Sequence, residues 1–285
     1  MSWLEALILG VIQGLTEFLP VSSSGHLEIG QALLGTASEE NLFFTVVVHV
    51  ATVLATIVVL YKEVGWLLKG TFTTLSWNDE KDYLCKLIVS MIPIFIVGMF
   101  FKDQVEELFG SGLLLVGICL LVTAFLLALS DFLSRKRAAQ IESVDKSASA
   151  ESHNIGRSIK YWSAFVVGIA QACAVLPGLS RSGSTIATGL LCGVKKNEIA
   201  QFSFLMVLVP VLGEAFLDVV KYIKAPTEML TTIPVTSLAV GFVSAFITGC
   251  LACRFMLKIV RQQKLTYFAV YCLIVGVFAI VYSQC

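Results

Sequence analysis

The chain has 285 residues, 57% of them apolar and only 14% charged, with a mean hydropathy of +0.86. A water-soluble globular domain carries roughly 45–50% apolar and about 25% charged residues, so this composition excludes one. Twenty basic and twenty acidic residues cancel, and no nucleic acid is expected as a partner; membrane lipids are.

In chain order, the N-terminus does not read as a cleavable signal peptide, because it lacks a basic leader and Glu5 and Glu17 interrupt its apolar stretch. The first 35 or so residues read as two short helices joined at Pro20. A single kinked span is the alternative; the polar apex Ser22–His26 favours a hairpin that enters and leaves on one side. Leu42–Leu60 is the first run long enough to cross a hydrocarbon layer of about 30 Å. Tyr61–Asp82 reads as a loop with Trp66 and Trp77 as interface anchors. Leu84–Phe101 and Gly112–Ser130 are the next spans, and the polar stretch Arg135–Arg157 is a linker. Ser163–Cys192 repeats the broken-hairpin pattern around Pro177. Glu198–Val219, Ile233–Phe255 and Leu265–Tyr282 complete six spans. With the N-terminus outside, every basic residue except Lys102, Lys221, Lys224 and Arg181 falls on the cytoplasmic side, as the positive-inside rule asks. The expected fold is therefore an all-α polytopic membrane protein, with about six transmembrane helices and two re-entrant helical hairpins in an inverted-topology repeat. Its halves are residues 1–134 and 158–285, joined by the linker 135–157.

Six of the eight cysteines lie in or beside apolar helices, where Cys acts as a small hydrophobe; the Cys250–Cys253 pair has no nearby His or second pair to suggest metal. Gly112 with Gly117, or Gly241 with Gly249, suit close helix packing. None of these pairs forms a GxxxG, so they imply no dimer, and a homodimer stays open as a partner.

The two breaks are related. Gln13-Gly-Leu-Thr-Glu-Phe-Leu-Pro-Val-Ser-Ser-Ser-Gly-His26 matches Gln171-Ala-Cys-Ala-Val-Leu-Pro-Gly-Leu-Ser-Arg-Ser-Gly-Ser184 at an offset of 158 residues, pairing Gln13 with Gln171, Ser22 with Ser180 and Ser24 with Ser182. Interruptions at corresponding positions of two halves point to a polar site between repeats. Gln13 and Glu17 share a helix face, and Glu17 is followed at once by Ser22, Ser23, Ser24 and His26. An ionisable residue in a membrane segment is a functional candidate. In the second break Arg181 is permanently charged and needs an anionic partner. Gly178, Ser180, Ser182 and Thr185 surround it, and a helix starting there would aim free N–H groups at the same point, which makes a phosphate cradle. A structural ion pair between Arg181 and Glu17 is the competing reading. A Ser beside a base can act as nucleophile, and a divalent ion can sit between carboxylate or Gln and phosphate oxygens. Residue chemistry thus implies a phosphoryl-group site within the membrane and leaves its substrate open.

Gln13-xxx-Glu17, the following Pro-Val-Ser-Ser-Ser-Gly-His26, and Pro177-Gly-Leu-Ser-Arg-Ser-Gly-Ser-Thr185 resemble the bacterial undecaprenyl-diphosphate phosphatases linked to bacitracin resistance, whose patterns are (Glu/Gln)xxxGlu and PGxSRSxxT. The resemblance spans the chain. It implies hydrolysis of a C55 polyprenyl diphosphate lipid to the monophosphate, which recycles the lipid carrier of cell-wall synthesis. It also implies a divalent cation (Mg2+ or Ca2+), residence in the bacterial cytoplasmic (inner) membrane, and a site open to its outer side. Carried over by motif, Ser23 is the nucleophile, with Ser22 or direct attack by water as alternatives. Glu17 is base or metal ligand, and Gln13 positions Glu17 or the metal. His26 assists proton transfer or orients the serine. Arg181 holds the diphosphate, with Ser22, Ser24, Gly178, Ser180, Ser182 and Thr185 lining the site. Gln13 in place of Glu weakens a two-carboxylate metal scheme. A secondary transporter or flippase is the rival reading, because inverted repeats with broken helices also build alternating-access proteins.

Overall fold

A computed structural model describes residues 1–36, 42–73, 76–101, 104, 112–142, 156, 158–224, 233–261 and 265–284; within these, the side chains of 42, 137–142, 214–224 and 260–261 lie outside the description. The described residues form eleven helices and no strand: α1 Trp3–Phe18, α2 Ser23–Leu34, α3 Leu42–Val59, α4 Tyr61–Thr73, α5 Asp79–Phe100, α6 Leu113–Glu142, α7 Tyr161–Cys173, α8 Arg181–Leu191, α9 Lys196–Lys224, α10 Val235–Arg261 and α11 Leu265–Tyr282.

Four stretches among the described residues are long and apolar enough to cross a bilayer: Asp79–Phe100, Leu113–Lys136, Val235–Ile259 and Leu265–Tyr282. They also present large apolar side chains outward: Phe95 is 64% exposed, Phe125 66%, Leu251 62% and Ile274 64%. Apolar surface of that extent suits lipid rather than water. The chain is a multi-pass membrane protein.

The remaining expected spans look different. The run Leu42–Leu60 becomes α3, which meets α4 at a bend of 76°, and only as a bent pair do the two count as a fifth span. The loop expected at Tyr61–Asp82 is corrected, because Tyr61–Thr73 is helical. The cause is amphipathic packing. Val64, Trp66 and Leu67 lie against the core while Tyr61 and Leu68 face outward, and Trp66 meets Tyr83 edge to face with centroids 5.9 Å apart. Trp66 is therefore a core contact, whereas Trp77 stays 67% exposed. Glu198–Val219 lies within α9, partly beyond the described side chains. The linker expected from Arg135 begins later, since α6 continues through Arg135-Lys-Arg-Ala-Ala-Gln-Ile-Glu142, a run of good helix formers; residues 143–155 and 157 lie outside the description.

Each break folds back on itself. Gly30 of α2 sits so close to Leu9 and Ile12 that an added Cβ would be 3.1 and 3.2 Å from their methyl carbons, so α2 returns along α1 rather than continuing it. α7 and α8 pack likewise. The hairpins then interlock with the long helices: α1 lies along α10, α7 along α5, and α6 along α11. Shifted by 158 residues, α1 falls on α7 and α5 on α10, so the first two contacts exchange with each other.

The α1–α10 contact rests on Gly10 and Gly14, a GxxxG that the glycine pairs considered above do not include. A Cβ on Gly14 would lie 2.5 Å from the Ala245 carbonyl oxygen, and one on Gly10 would lie 2.5 Å from that of Gly241. Backbone cannot step aside as a flexible side chain can. Gly14→Leu should therefore lower the midpoint of thermal unfolding in detergent, at a cost of about 1–3 kcal/mol. Gly98→Leu, where an added Cβ meets nothing within 4 Å, should leave the midpoint unchanged.

Candidate active site

α1 begins with a capping box in which Ser2 accepts from the Glu5 amide and Glu5 accepts from the Ser2 amide. It stops at Phe18 because Leu19 is extended and Pro20 follows. Ser22 opens α2 as its N-cap: its Oγ accepts from Gly25 N at 3.3 Å, and it adopts φ +70°, a left-handed conformation costly for a residue with a Cβ. Ser180 opens α8 in the same way, its Oγ accepting from Gly183 N at 3.0 Å while its own amide donates to Thr123 Oγ1 at 3.0 Å.

These two turns touch. Gly178, at φ +87°, lies against α6, where a Cβ would be 2.5 Å from the Val116 carbonyl oxygen; a Cβ on Gly25 would be 3.1 Å from Gly178 Cα. Ser182 Oγ donates to the Leu19 carbonyl at 3.1 Å, tying the second apex to the first.

Glu17, its side chain 9% exposed, is the centre of what they assemble. Its Oε1 accepts from Arg181 Nη2 at 2.7 Å. Its Oε2 accepts from Ser23 Oγ at 2.6 Å and Gln13 Nε2 at 2.9 Å. His49 Nε2, on α3, stands 3.8 Å from that same oxygen. A narrow cleft of about 20 Å3 opens beside them, lined by Glu17, Arg181, Ser182, Thr52 and Thr56 and by Phe18, Val53, Phe204 and Val207.

Gln13, Glu17, Ser23 and Arg181 thus come together, and the pairing weighed as a structural alternative for Arg181 is present. Of the other candidates, Ser182 lines the same cleft, while His26, Ser24 and Thr185 make their contacts elsewhere. His26 places Nδ1 2.8 Å from the Ser22 carbonyl and Nε2 2.8 Å from Tyr271 Oη, and stacks on the Tyr271 ring with centroids 5.5 Å apart. Ser24 Oγ lies 3.3 Å from Ser22 Oγ. Thr185 Oγ1 bonds to the Arg181 carbonyl and meets Ser203 Oγ at 2.6 Å. Ser24 thus ties to a neighbouring side chain, and Thr185 to the first turn of its own helix and to α9. His49, Thr52 and Thr56 were missed by reasoning from the two breaks. Their signal is a polar stripe, Thr45, His49, Thr52 and Thr56, at helical spacing in an otherwise apolar run.

The residues present are compatible with a divalent cation. Among the described residues no three His, Cys, Asp or Glu converge. Gln13 Oε1, however, is buried without a hydrogen-bond partner, next to the Glu17 carboxylate. Mg2+ is commonly held by one or two carboxylates and completed by phosphate oxygens and water, so two protein oxygens suit it.

Residues 6–278 match the family described as bacitracin resistance protein BacA. The chain belongs to the BacA family. Relatives named undecaprenyl-diphosphatase share 56% identity in Bacteroides fragilis over 284 residues, covering 100% of this chain and 99% of the relative. In Christiangramia forsetii the identity is 43% over 281 residues, covering 98% and 97%. In Methanococcus vannielii it is 38% over 281 residues, covering 98% and 100%. The BacA match takes in both hairpins and so the whole Glu17 cluster.

Removing one member of a buried ion pair strands the other. Arg181→Leu should cost about 3–5 kcal/mol of stability by leaving Glu17 unpaired. Glu17→Leu combined with Arg181→Leu should recover much of that loss, as read from unfolding midpoints in detergent.

Proposed function

We propose that this BacA-family chain is a membrane phosphatase that hydrolyses undecaprenyl diphosphate to undecaprenyl phosphate and inorganic phosphate. The reaction recycles the lipid carrier of cell-wall synthesis and underlies the bacitracin resistance for which the family is named. The observation that carries the reading is the chain of contacts from Ser23 Oγ to Glu17 at 2.6 Å and from Glu17 to Arg181 at 2.7 Å. It sets a hydroxyl, a base and a phosphate-binding cation side by side at the edge of a cleft.

In this scheme the terminal phosphate of the lipid diphosphate engages Arg181, whose planar guanidinium suits phosphate oxygens. Glu17 takes the Ser23 proton as Oγ attacks the terminal phosphorus. The bond to the bridging oxygen breaks, and undecaprenyl phosphate leaves with that oxygen's electron pair. Water then cleaves the phosphoserine, releasing inorganic phosphate and restoring Ser23. Ser23 is favoured over Ser22 because Ser22 Oγ is buried and spent on the Gly25 amide. A divalent cation held by Gln13 Oε1 and Glu17 would neutralise charge on the diphosphate. His26, whose ring bridges the Ser22 carbonyl and Tyr271 Oη, would orient the serine turn.

The proposed setting is the bacterial cytoplasmic membrane, with the cleft open to its outer side. The two halves, 1–134 and 158–285, are read as inverted repeats; the exchange of α1–α10 with α7–α5 under the 158-residue offset supports this.

Purified protein in detergent should release inorganic phosphate from a polyprenyl diphosphate and require a divalent ion. A transporter has no compartments to work between there, so absence of release would favour the transport reading. Ser23→Ala should lower turnover by at least about 10^3-fold, the scale of losing a nucleophile, while still binding the lipid.

A further inference from the structure

The Glu17 carboxylate has one neighbour that the scheme above leaves idle. His49 projects from α3 into the cluster, on an element separate from the hairpins that supply Gln13, Glu17, Ser23 and Arg181. Its Nδ1 lies 2.8 Å from the Thr45 carbonyl oxygen one turn earlier. A carbonyl can only accept, so Nδ1 carries the hydrogen, and this bond locks the ring with Nε2 turned to Glu17 Oε2 at 3.8 Å. Nε2 of that tautomer accepts, as the carboxylate does, so what would join them is one water donating a hydrogen to each. The oxygen it faces is the one that accepts from Ser23.

We propose that His49 is a positioning residue of the phosphatase centre, holding the Glu17 carboxylate on Ser23 when Arg181 turns to the diphosphate. The inference rests on the phosphatase reading. Before substrate enters, Glu17 is gripped at both oxygens, Oε1 by Arg181 and Oε2 by Ser23 and Gln13. Only Nη2 of the guanidinium is bonded to Oε1, and where that N–H turns to a phosphate oxygen its hold on Oε1 is lost. The carboxylate could then rotate away from Ser23 at the moment it must take the proton. Gln13 restrains it from its own helix, one turn back. His49 restrains it from a separate helix, α3, and its tethered ring has little freedom to follow a wandering carboxylate.

The test is the separation of kcat from KM for phosphate release from a polyprenyl diphosphate by the full-length protein. His49→Phe keeps a ring in place and removes both nitrogens; His49→Leu is a second nitrogen-free variant should the first fail to fold, and unfolding midpoints report folding for each. Either should lower kcat by on the order of 10^2-fold, the scale of a misplacement of about 1 Å, with KM nearly unchanged because Arg181 still holds the diphosphate. His49→Gln, whose amide reaches the place of Nε2, should recover most of the loss. Near-normal kcat in a folded nitrogen-free variant would overturn the proposal. So would a rise in KM alone, or a Gln variant as impaired as the Phe variant. If the wild-type protein releases no phosphate, the phosphatase reading itself fails and His49's role goes with it; an active wild type with an active His49→Phe removes only the latter.

Discussion

A carboxylate and a guanidinium contributed by residues 164 apart in sequence lie 2.7 Å apart where the two broken helices meet. Either charge alone would be expensive in a membrane interior, and neither hairpin contains a partner for its own. The pair can form only if both apices reach the same place, so neutralising it and assembling the site are one event. The neighbouring contacts have the same dependence. Gly25 packs on Gly178, and Ser182 donates to the Leu19 carbonyl, so each apex closes the backbone of the other.

Breaking a helix in an apolar setting leaves amides and carbonyls that water cannot reach, and each needs a partner from the protein. That requirement sorts the crowd of hydroxyls around the site. Ser22 and Ser180 cap the helices that restart after the breaks, and Thr123 receives the Ser180 amide. Thr185 returns to the Arg181 carbonyl, and Cys272 Sγ donates to that of Pro20. Among the described residues of the breaks, Ser23, Glu17, the Arg181 guanidinium and the amide oxygen of Gln13 are uncommitted to backbone, as are Ser24, which meets Ser22 Oγ, and the unpartnered Gln171 Oε1 and Ser184 Oγ. Of these, Ser23, Gln13 and Arg181 meet at the Glu17 carboxylate, which is what makes that cluster the candidate site.

The hairpins and their meeting point were legible in the sequence, since Pro20 and Pro177 with their serines interrupt apolar runs that would otherwise continue. The Glu17–Arg181 contact was legible as one of two readings of Arg181, because a buried cation must find an anion. Other features were hidden for physical reasons. His49, Thr52 and Thr56 sit in a run whose overall apolarity masks a polar stripe one residue wide. The partner of His26 is Tyr271, 245 residues away, and no local pattern encodes such a pairing. α4 was read as a loop because its charged residues, Lys62, Glu63 and Lys69, obscured the face made by Val64, Trp66 and Leu67. The Gly10–Gly14 spacing takes its meaning from the helix opposite, α10, whose backbone oxygens it admits and which the local sequence does not name.

The cleft has two characters, and the ion pair lies where they join. Phe18, Val53, Phe204 and Val207 form an apolar side, while Glu17, Arg181, Ser182, Thr52 and Thr56 form a polar one. A polyprenyl diphosphate is divided in the same way, a charged head on a hydrocarbon tail. Displacing Arg181 from Glu17 would be costly for a neutral or purely apolar visitor, because it would strand both charges. In the proposed exchange a diphosphate would keep the guanidinium paired, while the freed carboxylate would retain only its hydrogen bonds from Ser23 and Gln13. In the proposed reaction the pair that joins the two apices would thus also be the one a diphosphate opens, and the carboxylate it releases is the one already bonded to Ser23.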